Sequence, residues 1–205
     1  MTTGTDELTK TQHEFRRRRI AAGEARCAMF RRIYDAAIED VWDACTNPER
    51  LRRWYAPVEG DLRLGGAFTQ GDFGSGRITR CEPPRLLTVA LGDGDPAPDE
   101  IELRLSPGAD GTTLLEFEHA TTFDTHEIGG QIYDAVYCMG GGYGPRLVSL
   151  DRHLRGALPA DLDPRCCTCD RSSGRRSSEA WRSSRSSSKP TSTANDRCAR
   201  CADAA

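Results

Sequence analysis

Alternation of apolar and charged residues predicts a hairpin in the second half of the chain. Ile101, Leu103 and Leu105 alternate with charged residues, and Leu115 and Phe117 repeat the pattern after a Gly/Pro/Asp-rich turn. A period of two places each set on one face of a strand. The pattern therefore predicts an antiparallel sheet with one buried face and one face in water.

Shorter patterns predict further strands before this hairpin. The stretch "CAMFRRIYDA" is rich in strand-forming residues and indicates the first strand. The stretch "GDLRLGGAFTQGDF" predicts a hairpin that turns at Gly65-Gly66, because glycine tolerates the positive φ of a two-residue turn. In "GRITRCEPPRLLTVALGD", Pro83-Pro84 separates two more strands.

Helical spacing of apolar residues predicts helices on both sides of these strands. Val41, Trp42, Ala44 and Cys45 form a stripe in "IEDVWDACTN", and Pro48 ends this helix and opens a second short turn.

A last helix is predicted to begin at Pro145 and to end at Gly156, after a flexible glycine hinge at 140–142. The polar N-terminus is predicted to be a helix, with Arg16–Arg19 on its solvated face.

Together these elements predict an α+β chain of three parts: a polar N-terminal helix or leader (1–24), a sheet domain covered by helices (25–158) and a tail (159–205). After Leu162 the tail contains no Leu, Ile, Val, Met, Phe or Tyr, so we expect it to be disordered. Two alternatives stay open for the tail, a zinc site and a reading-frame artefact. The zinc ligands would be the cysteines Cys166, Cys167, Cys169, Cys198 and Cys201.

Composition narrows the class of protein. No segment is apolar enough to cross a bilayer or to act as a secretory signal, which predicts a cytoplasmic protein without a membrane partner. The ordered segments hold four single cysteines, which suit reduced thiols better than disulfides. Residues 25–162 carry 14 basic and 22 acidic groups, and this charge disfavours nucleic acid as a partner. The sequence leaves the oligomeric state open.

A resemblance to a known family lies in the ordered motifs of residues 25–156. They are Val41-Trp42, Ala44, Thr46, Pro48-Glu49, Leu51, Trp54, Asp61–Gly66, Gly76, Ile78, Pro83–Leu86, Gly111-Thr112, Leu114 and His119. In this order they resemble the SRPBCC superfamily, which includes START domains and the birch-pollen allergen. The most similar group is the bacterial-type family named after the activator of the heat-shock chaperone's ATPase (AHSA1-like).

The resemblance implies a helix-grip fold, in which a curved antiparallel sheet wraps around a C-terminal helix and encloses an apolar cavity. The candidate lining residues are Trp54, Tyr55, Phe68, Phe73, Phe117, His119, Tyr137 and Tyr143. Many members carry Gly-Trp where this chain has Gly142-Tyr143. Because the predicted last helix is also short, we expect either a more open pocket or a chain that lacks its native C-terminal end.

Three functions follow from the resemblance, ranked in this order. The first is non-catalytic binding of a small hydrophobic molecule, the second is a co-chaperone-like interaction, and the third is a cyclase or dehydratase reaction using His119. No cofactor or metal is predicted: His126 lies near Asp124 and Glu127, which could bind a metal with it, but no fourth ligand is spaced for such a site. Of the two neighbouring tryptophans, Trp54 is favoured over Trp42 as a ligand contact.

Overall fold

The computed structural model describes residues 10–71, 74–128 and 130–159. Its strands are β1 Gln12–Ile20, β2 Gly23–Tyr34, β3 Glu59–Gly60, β4 Ala67–Thr69, β5 Ser75–Glu82, β6 Leu86–Leu91, β7 Asp99–Pro107, β8 Thr113–Thr121, β9 Thr125–Ile128 and β10 Gln131–Asp134. The first eight form one antiparallel sheet in the order β1-β2-β8-β7-β6-β5-β4-β3, and β9 and β10 form a separate hairpin. This sheet and the C-terminal helix confirm the predicted α+β class.

The hairpin of β7 and β8 confirms the alternating pattern from which it was predicted. Leu103 pairs with Phe117 and Leu105 with Leu115, so their side chains share one face of the sheet. Leu103, Leu105 and Leu115 are buried. A 3₁₀ turn at Ala109–Gly111 joins the two strands.

The N-terminal segment forms β1, and the predicted N-terminal helix is wrong over these residues. β1 pairs antiparallel with β2 along its whole length. The side chains of Arg16 and Arg18 reach the buried Glu118 carboxylate on β8, and Arg18 also binds Glu100 at 2.7 Å. These contacts across the sheet override the local helical preference, because they require alternate residues to point to one face.

Two short helices follow β2 as predicted: α1 (Ile38–Thr46) and α2 (Pro48–Trp54). The backbone N–H of Glu49 donates to the Asn47 side chain at 3.0 Å, which caps α2. Val41 and Ala44 are fully buried, in agreement with the apolar stripe.

The long C-terminal helix α3 spans Ala135–Leu154, so the predicted start at Pro145 is wrong. The Asp134 carboxylate accepts a hydrogen bond from the Tyr137 backbone N–H at 3.0 Å and caps the true beginning of the helix. Ala135 and Val136 are buried, which anchors its first turn. Pro145 lies inside the helix, which has 20 residues. The prediction that the last helix is short is therefore also wrong.

The glycines 140–142 lie within α3, where a hinge was predicted. They do not form the predicted hinge before the last helix, because the buried Val136 and Leu147 lie on the same continuous helix before and after the run. The predicted end of the helix is confirmed, since Gly156 comes two residues after Leu154, the last helical residue, with a positive φ of 66°.

The predicted hairpin at Gly65-Gly66 exists between β3 and β4, but its loop is longer than two residues. Leu62 and Leu64 lie in this loop and not in a strand. The loop pairs with β5: the Gly65 N–H donates to the Ile78 carbonyl at 2.8 Å. The strand pair around Pro83-Pro84 is confirmed as β5 and β6.

The main core lies between the inner face of the sheet and the three helices. It contains Phe30 of β2, Leu115 of β8, Val41 of α1 and Leu150 of α3. The hydroxyl of the buried Tyr34 donates to the Leu147 carbonyl at 3.0 Å and ties β2 to α3.

The cysteines of the described residues are free thiols, as predicted: Cys27, Cys45, Cys81 and Cys138. The predictions for the Ser/Arg/Cys-rich tail fall on residues 160–205, which lie outside the described ranges.

Candidate functional site

A cavity of about 360 Å³ lies between the inner face of the sheet and the helices. The α1–α2 segment lines one side through Trp42, Cys45, Thr46, Leu51, Trp54 and Tyr55. The sheet supplies Phe68, Ile78, Val89, Ile101, Leu103 and Phe117, among others. Helix α3 contributes Tyr143, Arg146 and Leu147, three residues that share one helix face because they are three and four positions apart. The described wall is mostly aromatic and aliphatic.

Five of the eight lining candidates from the sequence contribute to this wall: Trp54, Tyr55, Phe68, Phe117 and Tyr143. Of the other three, His119 and Tyr137 do not line it, and Phe73 lies outside the described ranges. His119 lies behind the wall and contacts Tyr143. Tyr137 is 69% exposed, because it sits in the first turn of α3 with its side chain in solvent.

Trp42 and Trp54 both contribute to the cavity wall. Trp54 is buried, and its indole Nε1 donates to the Ala44 carbonyl at 2.9 Å. This hydrogen bond fixes α2 against α1 and holds the ring in one orientation. The geometry places both rings at the wall, so the preference for Trp54 as the ligand contact stays a prediction.

The cavity contains one polar corner, formed by Tyr55, Gln70 and Arg146. The Tyr55 hydroxyl donates to the Gln70 side-chain oxygen at 2.7 Å, and the Arg146 guanidinium lies 4.7 Å from the centre of the Tyr55 ring. Gln70 and Arg146 are both buried. Burial raises the pKa of Tyr55, so its hydroxyl stays protonated at neutral pH and can donate.

His119, Tyr143 and Asp99 form a chain next to the cavity, in which His119 is buried and the other two are half-buried. His119 Nδ1 lies 2.9 Å from the Tyr143 hydroxyl, and its Nε2 lies 3.8 Å from an Asp99 carboxylate oxygen. Burial raises the pKa of Tyr143 far above its usual value. The arrangement places a carboxylate, an imidazole and a phenol in sequence, and only the phenol belongs to the cavity wall.

Arg146, Gln70 and Asp99 were missed by reasoning from sequence. Charged and amide side chains are mostly exposed in proteins, so nothing in the local pattern marked Gln70 and Arg146 as buried or Asp99 as half-buried. One usable signal existed for Arg146, which lies three residues after the predicted lining residue Tyr143. That spacing places both on one face, but only if the helix begins before Pro145.

The metal alternative at His126 has no geometric support. Within 10–71, 74–128 and 130–159, no three His, Cys, Asp or Glu side chains are grouped to hold an ion. The His126 ring instead lies 5.7 Å from the Phe123 ring.

Across 10–71, 74–128 and 130–159, no helix is long and apolar enough to cross a membrane.

A large antiparallel sheet packed against a long C-terminal helix, with a cavity between them, defines a helix-grip domain. The family model described as "Activator of Hsp90 ATPase homolog 1-like protein" matches residues 35–153, more than half of the chain. The protein therefore belongs to this family, which confirms the resemblance found in the sequence.

Solved structures with the same fold include CalU16 from Micromonospora echinospora. Its crystal structure is 36% identical with a TM-score of 0.62, and the match covers 84% of this chain and 96% of that one. Its solution structure is 38% identical with a TM-score of 0.64, over 84% and 93%. The Aha1 dimer from Colwellia psychrerythraea shares the fold at 17% identity, with a TM-score of 0.52 over 64% and 97%. No curated protein matches the sequence.

Proposed function

We propose that this protein binds a small hydrophobic molecule in the cavity and does not transform it. The supporting observation is the cavity of about 360 Å³ with a mostly apolar described wall. Binding sites for small molecules are concave and mostly apolar, hold a few polar groups and measure about 300–1,000 Å³. The polar corner at Tyr55, Gln70 and Arg146 supplies such groups.

The position of the acid–base groups favours binding without catalysis. A general acid or base must lie within hydrogen-bond reach of the reacting atom, directly or through one water. His119 contacts Tyr143 and does not line the cavity. Burial raises the pKa of Tyr143, which makes its hydroxyl a poor proton donor at neutral pH. A cyclase-like reaction through His119 would therefore have to pass through an unreactive phenol.

The binding proposal is tested with N-phenyl-1-naphthylamine, a neutral probe that fluoresces in apolar cavities. We expect saturable binding by the wild type and a rise in melting temperature, because the probe binds only the folded state. Leu87→Trp places a large side chain at the cavity wall and should weaken binding at least about tenfold. Leu64→Trp is the matched control, since Leu64 is 65% exposed and does not line the cavity.

Two results would contradict the proposal: no binding by the wild type, or equal binding by the wild type and Leu87→Trp. Circular dichroism and a cooperative melting transition establish that both variants are folded. Native mass spectrometry of the protein purified from its own host adds a direct measurement, because a retained molecule appears as extra mass. That mass also identifies the natural ligand.

A chaperone interaction is the second candidate, and membership of the family described by an activator of the Hsp90 ATPase favours it. The measurement is the ATPase rate of Hsp90 from the same host, with and without an excess of this protein. An increased rate supports the interaction. An unchanged rate over a wide range of concentrations removes it.

A further inference from the structure

A buried positive charge faces the cavity from α3. Arg146 is 6% exposed and contributes to the cavity wall. Its guanidinium carbon lies 4.7 Å from the centre of the Tyr55 ring and 5.8 Å from that of Tyr143. The two aromatic rings hold the guanidinium at the boundary between the cavity and the core.

The described lining residues include no Asp or Glu, so the formal charge of this wall is positive. The Tyr55 and Tyr143 rings stabilise the guanidinium in this position through cation–π contacts. An anion in the cavity would interact with Arg146 at low dielectric constant, where the attraction is stronger than in water. Arg146 would repel a cation, so we expect the cavity to exclude cations.

The guanidinium of Arg146 also suits an oxygen anion. It presents parallel N–H donors that match the two oxygens of a carboxylate or two of the three oxygens of a sulfonate. At the same corner the Tyr55 hydroxyl donates to the Gln70 side-chain oxygen at 2.7 Å, so the proton of Tyr55 is engaged and the guanidinium is the donor for an anion. The rest of the wall is aromatic or aliphatic, which suits a planar apolar body.

We propose that the cavity takes organic anions: molecules with an apolar, largely aromatic body and one anionic oxygen group that Arg146 binds. This inference rests on the proposed binding function and specifies the chemical class of its ligand. It would fail separately if the cavity bound neutral and anionic molecules equally well.

A pair of probes separates the two proposals. 8-Anilinonaphthalene-1-sulfonate has the same body as N-phenyl-1-naphthylamine and adds one sulfonate. We expect the wild type to bind the sulfonate at least about tenfold more tightly, the effect of one good charge-assisted contact. Competition between the probes establishes that they share a site, and Leu87→Trp should weaken both.

The decisive variant is Arg146→Met, which keeps an unbranched apolar stem and removes the charge. It should lose the preference for the sulfonate, so that the two probes bind with affinities within about threefold of each other. Arg152→Met is the control, because it makes the same charge change in the last turn of α3 at a residue outside the cavity wall. Arg146→Lys keeps a positive charge but loses the parallel N–H donors of the guanidinium, so it should retain part of the preference for the sulfonate.

Each outcome decides between the proposals. Binding of neither probe by the wild type overturns the binding function and this inference with it. Equal wild-type affinities overturn only the inference, as does an equal loss for both probes in Arg146→Met, which would assign Arg146 a packing role. If Arg146→Met does not fold, the wild-type comparison and Arg146→Lys still test the preference.

Discussion

The hydroxyl of Tyr143 lies 2.9 Å from Nδ1 of His119, at the boundary between the cavity wall and the core. This contact joins α3 to β8 and gives the buried His119 ring a polar partner. It explains how a histidine occupies the apolar face of a strand without becoming a ligand contact.

Tyr143→Phe should lower the free energy of unfolding by about 1–2 kcal/mol, because a buried imidazole nitrogen loses its partner. Urea denaturation measures this change. Tyr137→Phe is the matched control on the same helix: its ring is 69% exposed, and we expect a change within about 0.5 kcal/mol. Equal effects of the two variants would contradict the structural importance of the His119 contact.

Glu118→Gln should loosen β1. The Glu118 side chain is 3% exposed and binds Arg16 and Arg18, so its neutralisation leaves two cations without their main partner. The expected loss is about 1–3 kcal/mol, less than for fully buried pairs because both arginines are partly in water. Hydrogen exchange should accelerate across 12–20.

The control for this prediction is Glu24→Gln. Glu24 lies 3.9 Å from Arg19, and both side chains are more than 70% exposed. Exposed pairs contribute little, so stability and exchange in β1 should stay nearly unchanged. If the two variants behave alike, the contacts of Glu118 do not hold β1 in place.

His153 should make stability depend on pH. Burial, followed by the positive charges of Arg50 and Arg53, lowers the pKa of His153 in the folded state. The unfolded chain therefore binds more protons at mildly acidic pH, and stability is lost as pH falls through about 6.5, the usual histidine pKa. Arg50 Nε also donates to His153 Nε2 at 3.1 Å, which requires the neutral ring.

The measurement is the melting temperature at pH 7.5 and at pH 5.5, for the wild type and for His153→Gln. We expect the decrease on acidification to be smaller in the variant, because glutamine does not titrate. Parallel decreases in the two proteins would show that His153 contributes nothing to the pH dependence.

The sequence predicts those elements whose residues carry their own periodicity. The alternation through Leu103 and Phe117 and the stripe at Val41 and Ala44 depend only on which side chains must be buried, and both agree with the structure. The order of the motifs identified the family, and the fold of that family implied the cavity. Five lining residues followed from that resemblance together with the size and position of aromatic side chains.

The errors arose where distant contacts decide the local structure. The helix preference of the N-terminus gave way to pairing with β2 and to the contacts of Glu118. Pro145 is typical of a helix start, but the cap at Asp134 lies eleven residues earlier. Arg146 was missed for a related reason, since its burial depends on the longer helix that this cap begins.

The arginines of β1 also affect how this protein meets other copies of itself. β1 stands at one end of the described sheet, where backbone groups face outward and invite pairing with another strand. A second β1 aligned antiparallel about the centre of the run Arg16–Arg19 would set Arg16 beside Arg19 and Arg17 beside Arg18. Like charges directly opposite each other are unfavourable. The residues that attach this strand to its own sheet thus discourage the sheet from growing into a neighbouring molecule.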